Sequence, residues 1–199
     1  GVGQDEGVRR LVVPLLAVTV ALVLADSAVV TLALPDILSH LGATVGQVAW
    51  VLIAFNLVLG LAAVPAAAAL HRVHSQSFTA VGIALFAGTS AWCAVADSIE
   101  ILIVARCLQA LGGAIAVVGC LELLVAEQGE RRGVATWVTA GVIGTATGPA
   151  VGGLLTQAIS WEAICVVQVP FAALAVPAAL SAKAAIEFPP EERHRPAIR

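Results

Sequence analysis

The chain has 199 residues, of which 60% are hydrophobic and 12% are charged. Typical globular domains carry about 25% charged residues, so this composition excludes an ordinary soluble domain. The formal net charge of −3 is small. We expect the lipid bilayer as a partner and no nucleic acid.

Six long apolar segments follow one another along the chain. A bilayer core of about 30 Å is crossed by about 20 helical residues, and each segment meets that length. The predicted spans are 11–34, 48–70, 78–96, 101–126, 133–159 and 163–182. The sequence therefore predicts an all-α integral membrane protein, with a six-helix domain over 11–182, a cytoplasmic segment at 1–10 and a cytoplasmic tail at 183–199.

Basic residues predict the orientation of these spans. Nine of the ten Lys and Arg residues fall before span 1, between spans 2 and 3, between spans 4 and 5, or after span 6. By the positive-inside rule that side is cytoplasmic, so both termini of this multi-pass inner (plasma) membrane protein are predicted to be cytoplasmic. Arg9 and Arg10 also resemble the start of a signal peptide, but the apolar run after them is longer than the apolar region of a signal peptide, which has roughly 7–15 residues.

Charged and amide side chains lie deep inside four spans, at Asp26, Asn56, Arg106, Gln109 and Gln168, whereas Glu122 falls at the cytoplasmic edge of span 4. At about 1.5 Å per helical residue, all five fall about 7–13 Å below the outer end of their spans, in one layer. Charges at this depth are usually paired or functional, and intramembrane carboxylates commonly form proton relays. We predict proton coupling at the two charged residues and a substrate path along the three amides. A structural ion pair and interhelical hydrogen bonding stay open as alternatives.

Span 5 has a glycine pattern, in which Gly141, Gly144, Gly148 and Gly152 recur every three or four residues, with Pro149 and Gly153 added. Small residues at this spacing let helices approach closely, and proline bends a helix. Generic helix packing would explain the glycines alone, whereas the order Gly-Pro-x-x-Gly-Gly is more specific.

Features of enzymes and metal sites are missing from the sequence. The four cysteines lie within predicted spans without metal-ligand spacing, which favours a packing role. His71 and His74 bracket a predicted turn, but a metal site needs more than two ligands. Because no phosphate loop, zinc-protease motif or nucleophile elbow occurs, we expect no cofactor, no metal and no enzymatic activity.

Four motifs occur in order, at 26–35 (DSAVVTLALP), 106–113 (RCLQALGG), 141–153 and 161–170. They resemble motifs of helices one, four, five and six in the N-terminal half of major facilitator superfamily transporters, the drug:proton antiporters with 14 helices being most similar. The resemblance implies six helices arranged as two inverted three-helix repeats, one half of a major facilitator fold. It also assigns the antiporter motif to Gly144, Gly148, Pro149, Gly152 and Gly153.

Two departures from the family pattern bear on function. The loop between helices two and three matches the family motif only at Arg72, and His71 replaces the family's Asp, so the gating loop at these residues is altered. A complete transporter has two halves, whereas this sequence stops after helix six. We therefore expect a second six-helix half, in a homodimer or a heterodimer.

The resemblance implies proton-coupled export of a small, lipophilic compound by alternating access, with the compound and protons as partners. A non-transporting scaffold or accessory subunit is the alternative, which the altered gating loop favours. A fragment of a longer transporter is a third possibility.

Overall fold

The computed structural model describes residues 11–27, 38–39 and 42–183. Over these residues the chain forms α1 (Leu11–Ser27), α2 (Val45–Leu70), α3 (Ser75–Ala94), α4 (Ile99–Gln128), α5 (Glu130–Ala158) and α6 (Glu162–Ser181), and no strand. The predicted N-terminal segment 1–10, the end of span 1 with the first motif from 28 to 35, and the tail beyond Lys183 lie outside the described residues.

Helices α2 to α6 are each long and apolar enough to cross a bilayer. Their ends lie within three residues of the predicted spans. The described part of the first span is an apolar helix of 17 residues. The prediction of an all-α membrane fold is thus confirmed.

Local sequence sets the helix ends. Thr44 and Gln47 form a capping box, in which the Thr44 side chain accepts from the Gln47 backbone and the Gln47 side chain accepts from the Thr44 backbone. Ser98 caps α4 by accepting from the Ile101 amide at 3.3 Å. Gly129 alone separates α4 from α5, with a φ of +82° that glycine adopts without steric cost.

Helix α4 lies at the centre of the bundle and contacts α2, α3 and α5 directly. Its buried side chains join two separate apolar clusters. The first apolar layer lies toward the turns that join α2 to α3 and α4 to α5; it includes Leu16, Val20, Phe86, Leu123 and Ala175. The second apolar layer lies toward the opposite end; it includes Val51, Cys93, Leu102, Trp161 and Cys165.

Helices α2 and α5 are the least covered of the spanning helices. In each of them, 22% of an 18-residue apolar stretch is buried within the bundle, against 44–56% of the corresponding stretch in α3, α4 and α6. The exposed side chains of α2 include Ile53, Leu57, Leu61 and Val64. These two helices present large apolar surfaces to lipid or to another protein.

Candidate transport site

A buried ion pair joins α1 to α4. The Arg106 Nη1 atom lies 2.5 Å from Asp26 Oδ2, and the two side chains are 1% and 0% exposed. Arg106 Nη2 also donates to the Asp26 backbone carbonyl at 3.3 Å. The attraction between two buried charges offsets their desolvation only if further hydrogen bonds satisfy the remaining lone pairs and protons. The stability of this pair therefore depends on the polar groups around it.

Two glutamines and a serine extend the ion pair into a polar network across four helices. Gln168 of α6 donates from Nε2 to Asp26 Oδ1 at 2.6 Å. Gln109 of α4 accepts from Arg106 Nη1 at 2.7 Å and donates to Gln168 Oε1 at 3.1 Å and to Ser90 Oγ at 2.7 Å. The Ser90 hydroxyl lies 2.7 Å from the Phe86 carbonyl and 3.1 Å from Gln168 Oε1. We call Asp26, Ser90, Arg106, Gln109 and Gln168 the polar layer.

The Arg106 guanidinium also packs on an aromatic face. Its Cζ atom lies 4.2 Å from the centre of the Phe55 ring on α2. Cation–π contacts of this kind stabilise a desolvated guanidinium. The Nε atom is buried without a hydrogen-bond partner among the described residues, so the ring offsets part of the cost of burying this charge.

The polar layer lies between the two apolar layers. On α3, Ser90 falls between Ala87 of the first apolar layer and Cys93 of the second. Gln168 falls likewise between Cys165 and Ala172 on α6. Apolar packing on both sides keeps the local dielectric low, which strengthens the hydrogen bonds and makes any unpaired polar group costly.

The predicted substrate-path amides have different environments. Gln109 and Gln168 both belong to the polar layer, whereas Asn56 is exposed and donates to the Leu52 carbonyl of its own helix at 3.0 Å. Asn56 therefore lies outside the network, and its role stays a prediction. Ser90 was not singled out from the sequence, because one serine among small residues in a span gives no distinct signal.

Two glycines of the predicted antiporter motif, Gly144 and Gly148, pack against α1. A Cβ at Gly148 would lie 2.8 Å from the Ala25 carbonyl oxygen, and one at Gly144 would overlap the backbone of Ala21. Gly152 and Gly153 are buried, and Pro149 lies within the helix and is half-buried. The glycine face thus brings α5 into backbone contact with the helix that carries Asp26.

An apolar crevice lies between α1, α5 and α6, next to the polar layer. Its volume is about 180 Å³. Leu22, Gly144, Thr147 and Val167 contribute to its walls, and Gln168 lines it as well. The same amide therefore borders both the crevice and the Asp26 carboxylate.

The predicted gating loop forms the turn between α2 and α3, and both His71 and Arg72 are exposed there. The Arg72 backbone donates to the Ala69 carbonyl at 2.9 Å. Neither side chain forms an ion pair with any described residue. Glu122 of α4 lies near enough to His71 to interact electrostatically.

No group of three or more potential metal ligands occurs within residues 11–27, 38–39 and 42–183. At the bundle end that holds the α2–α3 turn, Lys183 lies 3.7 Å from Glu127, and Gln76 donates to the Ala182 carbonyl. These contacts tie the ends of α3, α4 and α6 together.

Comparison with curated proteins finds drug-export relatives. The chain is 37% identical over 168 residues to the tetracenomycin C resistance and export protein of Streptomyces glaucescens, covering 82% of this chain and 31% of that protein. It is 32% identical to the multidrug resistance protein Stp of Mycobacterium tuberculosis, covering 77% and 29%. Against the drug efflux pump JefA of the same species it is 30% identical, covering 83% and 34%. The chain thus spans about a third of the length of these relatives.

Comparison with solved structures supports the fold. The chain matches a bacterial homologue of the human lysosomal transporter Spinster, in an inward-facing and unoccupied conformation, with a TM-score of 0.71 and 18% identity. The match covers 90% of this chain and 44% of that one. The family model described as Major Facilitator Superfamily matches residues 16–198. This chain therefore belongs to the major facilitator superfamily, a family of membrane transporters rather than enzymes, as the motifs predicted.

Proposed function

We propose that this chain forms one six-helix half of an exporter of small, lipophilic compounds, driven by proton uptake at Asp26. The observation that carries the proposal is the buried ion pair between Asp26 and Arg106. Two charges in a dry layer between apolar clusters cost free energy that a purely structural contact would avoid, since apolar residues of similar volume often stabilise such a site as well. A role in function is the simplest reason to keep them.

The curated relatives support the export of drug-like compounds, because they include an antibiotic resistance and export protein, a multidrug resistance protein and a drug efflux pump. The crevice supports a lipophilic substrate. Its walls are almost entirely apolar, and Gln168 and Thr147 supply polar atoms that can orient a bound molecule.

The mechanism we propose is alternating access linked to the charge of one carboxylate. An opposite charge within about 4–6 Å favours the ionised form of a carboxyl group, whereas burial favours the neutral form. Contact with Arg106 would keep Asp26 mainly ionised. A conformational step that separates the two side chains would favour proton uptake, and a proton on Asp26 would in turn favour that step.

Alternating access needs a second half against which this one moves. The apolar surfaces of α2 and α5, the least covered helices, support such a partner. The two halves of this superfamily are related by an axis along the membrane normal. A second half of either identical or different sequence would fit that geometry, with both termini of this half in the cytoplasm.

The altered gating loop favours a second candidate function, a membrane scaffold that keeps the fold without transporting. The resemblance implies that this loop latches the two halves of a transporter, and His71 stands in place of the acidic residue of the family motif, so that only Arg72 is kept. Transport measurements separate the two candidates.

The test uses inverted membrane vesicles from cells that express the full chain with its native membrane partners. Uptake of fluorescent lipophilic dyes is followed under an imposed pH gradient. Asp26→Asn is expected to abolish gradient-driven uptake while the protein remains inserted. The control is Asp97→Asn, an exposed acid in the α3–α4 turn, which should transport normally. Normal uptake by Asp26→Asn would make the ion pair purely structural, and no uptake by the unmodified chain would favour the scaffold.

A further inference from the structure

The Asp26 carboxylate accepts hydrogen bonds on both oxygens from groups that only donate in the observed arrangement. Arg106 Nη1 lies 2.5 Å from Oδ2, and Gln168 Nε2 lies 2.6 Å from Oδ1. A guanidinium has no acceptor atom, whereas a glutamine side chain has both an acceptor oxygen and a donor nitrogen. The two carboxylate oxygens therefore differ in whether the group beside each can accept a hydrogen bond.

A proton added to Asp26 turns one carboxylate oxygen into a donor. On Oδ2 this new O–H would point at the N–H of Arg106, which cannot accept a hydrogen bond. On Oδ1 it would point at Gln168, whose amide can rotate by a half turn and present Oε1 in place of Nε2. Only the Oδ1 side can accommodate the protonated form.

Rotation of the Gln168 amide changes its other contacts. Nε2 would move to the position now held by Oε1, which lies 3.1 Å from Ser90 Oγ and 3.1 Å from Gln109 Nε2. Ser90 can accept the new N–H, because its own proton can go to the Phe86 carbonyl at 2.7 Å. Gln109 cannot rotate in step, since its Oε1 accepts from Arg106 at 2.7 Å.

We propose that Gln168 is the residue that senses the proton on Asp26, by an amide rotation for which Ser90 supplies the acceptor. A proton from the aqueous phase binds to Oδ1, the Oδ1–H then donates to Gln168 Oε1, and Gln168 Nε2 donates to Ser90. Gln109 Nε2 then faces Gln168 Nε2, and because both atoms only donate, the hydrogen bond between these two residues is lost. The proton therefore weakens the link between α4 and α6, and it does so beside the crevice that Gln168 lines.

Gln168 and Ser90 are positioning residues in this scheme, which rests on the proposed proton uptake at Asp26. The other ionisable groups around Asp26 are Arg106 on α4 and the thiols of Cys93 on α3 and Cys165 on α6, which interact electrostatically with one another. Helix α2 has no charged residue, and α5 has none beyond Arg132. Asp26 is the only acidic group in this layer among the described residues.

The test measures the protonation of Asp26 directly in the purified full chain in mild detergent. Infrared difference spectra are recorded against pH, and the band of the protonated carboxyl group that disappears in Asp26→Asn is followed. Ser90→Ala removes the acceptor that the rotated amide needs but leaves the Gln168 contacts with Asp26 and Gln109 in place. The Gln109 bond to Ser90, which is also lost, is present whether or not Asp26 is protonated. It should therefore disfavour the protonated form and move the midpoint of that band to lower pH by about one unit, equivalent to about 1.4 kcal/mol.

Thr89→Ala is the matched control, because Thr89 is a neighbouring buried hydroxyl that bonds only to carbonyls of its own helix, at 2.7 and 3.2 Å. Its midpoint should not move. In a Gln168→Leu background the added Ser90→Ala change should have no effect, since the rotating amide is gone. If Ser90→Ala does not fold, Ser90→Cys, whose sulfur is a weak acceptor, replaces it, with a shift in the same direction.

The outcomes separate this inference from the proposed function. A titrating Asp26 band that Ser90→Ala shifts no more than Thr89→Ala does would overturn the amide rotation and leave proton uptake intact. An equal Ser90→Ala shift with and without Gln168 would also overturn it. The absence of any band that depends on Asp26 would overturn both.

Discussion

The contact between Gly148 and Ala25 allows a quantitative prediction about α5. A Cβ at Gly148 would lie 2.8 Å from the Ala25 carbonyl oxygen and 3.2 Å from its Cα, whereas ordinary contact begins near 3.4 Å. Both obstructing atoms belong to the backbone, so they cannot rotate away. Even alanine would require α1 and α5 to separate by about 0.6 Å, by comparison of these distances, and Gly148→Leu would require much more.

Overpacking of this kind typically costs about 1–3 kcal/mol. In chains of roughly 150–250 residues, each kcal/mol of lost unfolding free energy lowers Tm by about 2–4 °C. Gly148→Leu should therefore lower Tm by several degrees. Ala150 is exposed on the same helix, and Ala150→Leu should change the unfolding free energy by less than about 0.5 kcal/mol.

Thermal unfolding in detergent, followed by the loss of the monodisperse peak in size-exclusion chromatography, measures both variants. Because Ala25 precedes Asp26, separation of the helices should also displace the ion pair, and dye uptake should fall in Gly148→Leu alone. Equal Tm values for the two variants would show that the glycine contact with α1 does not matter for stability.

Three further predictions concern the ion pair, the topology and the α4–α5 contact. Arg106→Ala should reduce stability more than Asp26→Asn, because it leaves the Asp26 charge buried without its partner and also leaves a cavity. Loss of one partner of a buried pair typically costs about 3–5 kcal/mol of unfolding free energy; equal Tm values for the two variants would contradict this. A cysteine placed at Asp97 should react with an impermeant reagent outside intact cells, and one at Arg72 should not, since the two lie at opposite ends of the bundle; the reverse pattern would invert the topology. Trp137→Phe removes an indole that donates to a helical carbonyl of α4 at 2.9 Å, so unfolding should become easier by about 0.5–1.5 kcal/mol in chemical denaturation; an unchanged midpoint would mean that water replaces the bond.

The helices could be predicted from sequence because a bilayer leaves few choices. Every backbone group must be satisfied within the membrane, so long apolar runs become helices. The predicted span 2 begins at Val48, three residues after the start of α2 at Val45, because an uninterrupted apolar run excludes polar Gln47. The Thr44 capping box shows that this glutamine belongs to the first helical turn.

The depth of the polar residues could be predicted, but their direction could not. The rise per residue places side chains in a layer whatever the rotation of each helix. Arg106 and Gln109 are three residues apart on one helix, and this spacing places both on one face whatever the rotation of the helix. Asn56 has a similar depth but points away from the network, since the rotation of α2 is set by packing that the sequence does not display.

Ser90 shows a second limit of sequence reasoning. Its importance comes from two neighbours on other helices, Gln109 and Gln168. A hydroxyl in a span commonly bonds to its own helix, as Thr89 does. Only the three-dimensional arrangement distinguishes Ser90 from Thr89.

The separation of Asp26 and Arg106 along the chain has a consequence for biosynthesis. The two residues are 80 positions apart, and ribosomes add about 5–20 residues per second. The carboxyl group of α1 therefore waits about 4–16 s for its cation while the intervening helices leave the translocon. An Arg costs up to about 2.5–3.5 kcal/mol to insert, the value at a helix centre, so α4 enters lipid more readily once Asp26 is already there. Gln168 emerges later still, 142 positions after Asp26, and the hydrogen-bond network closes only when the sixth helix has been inserted.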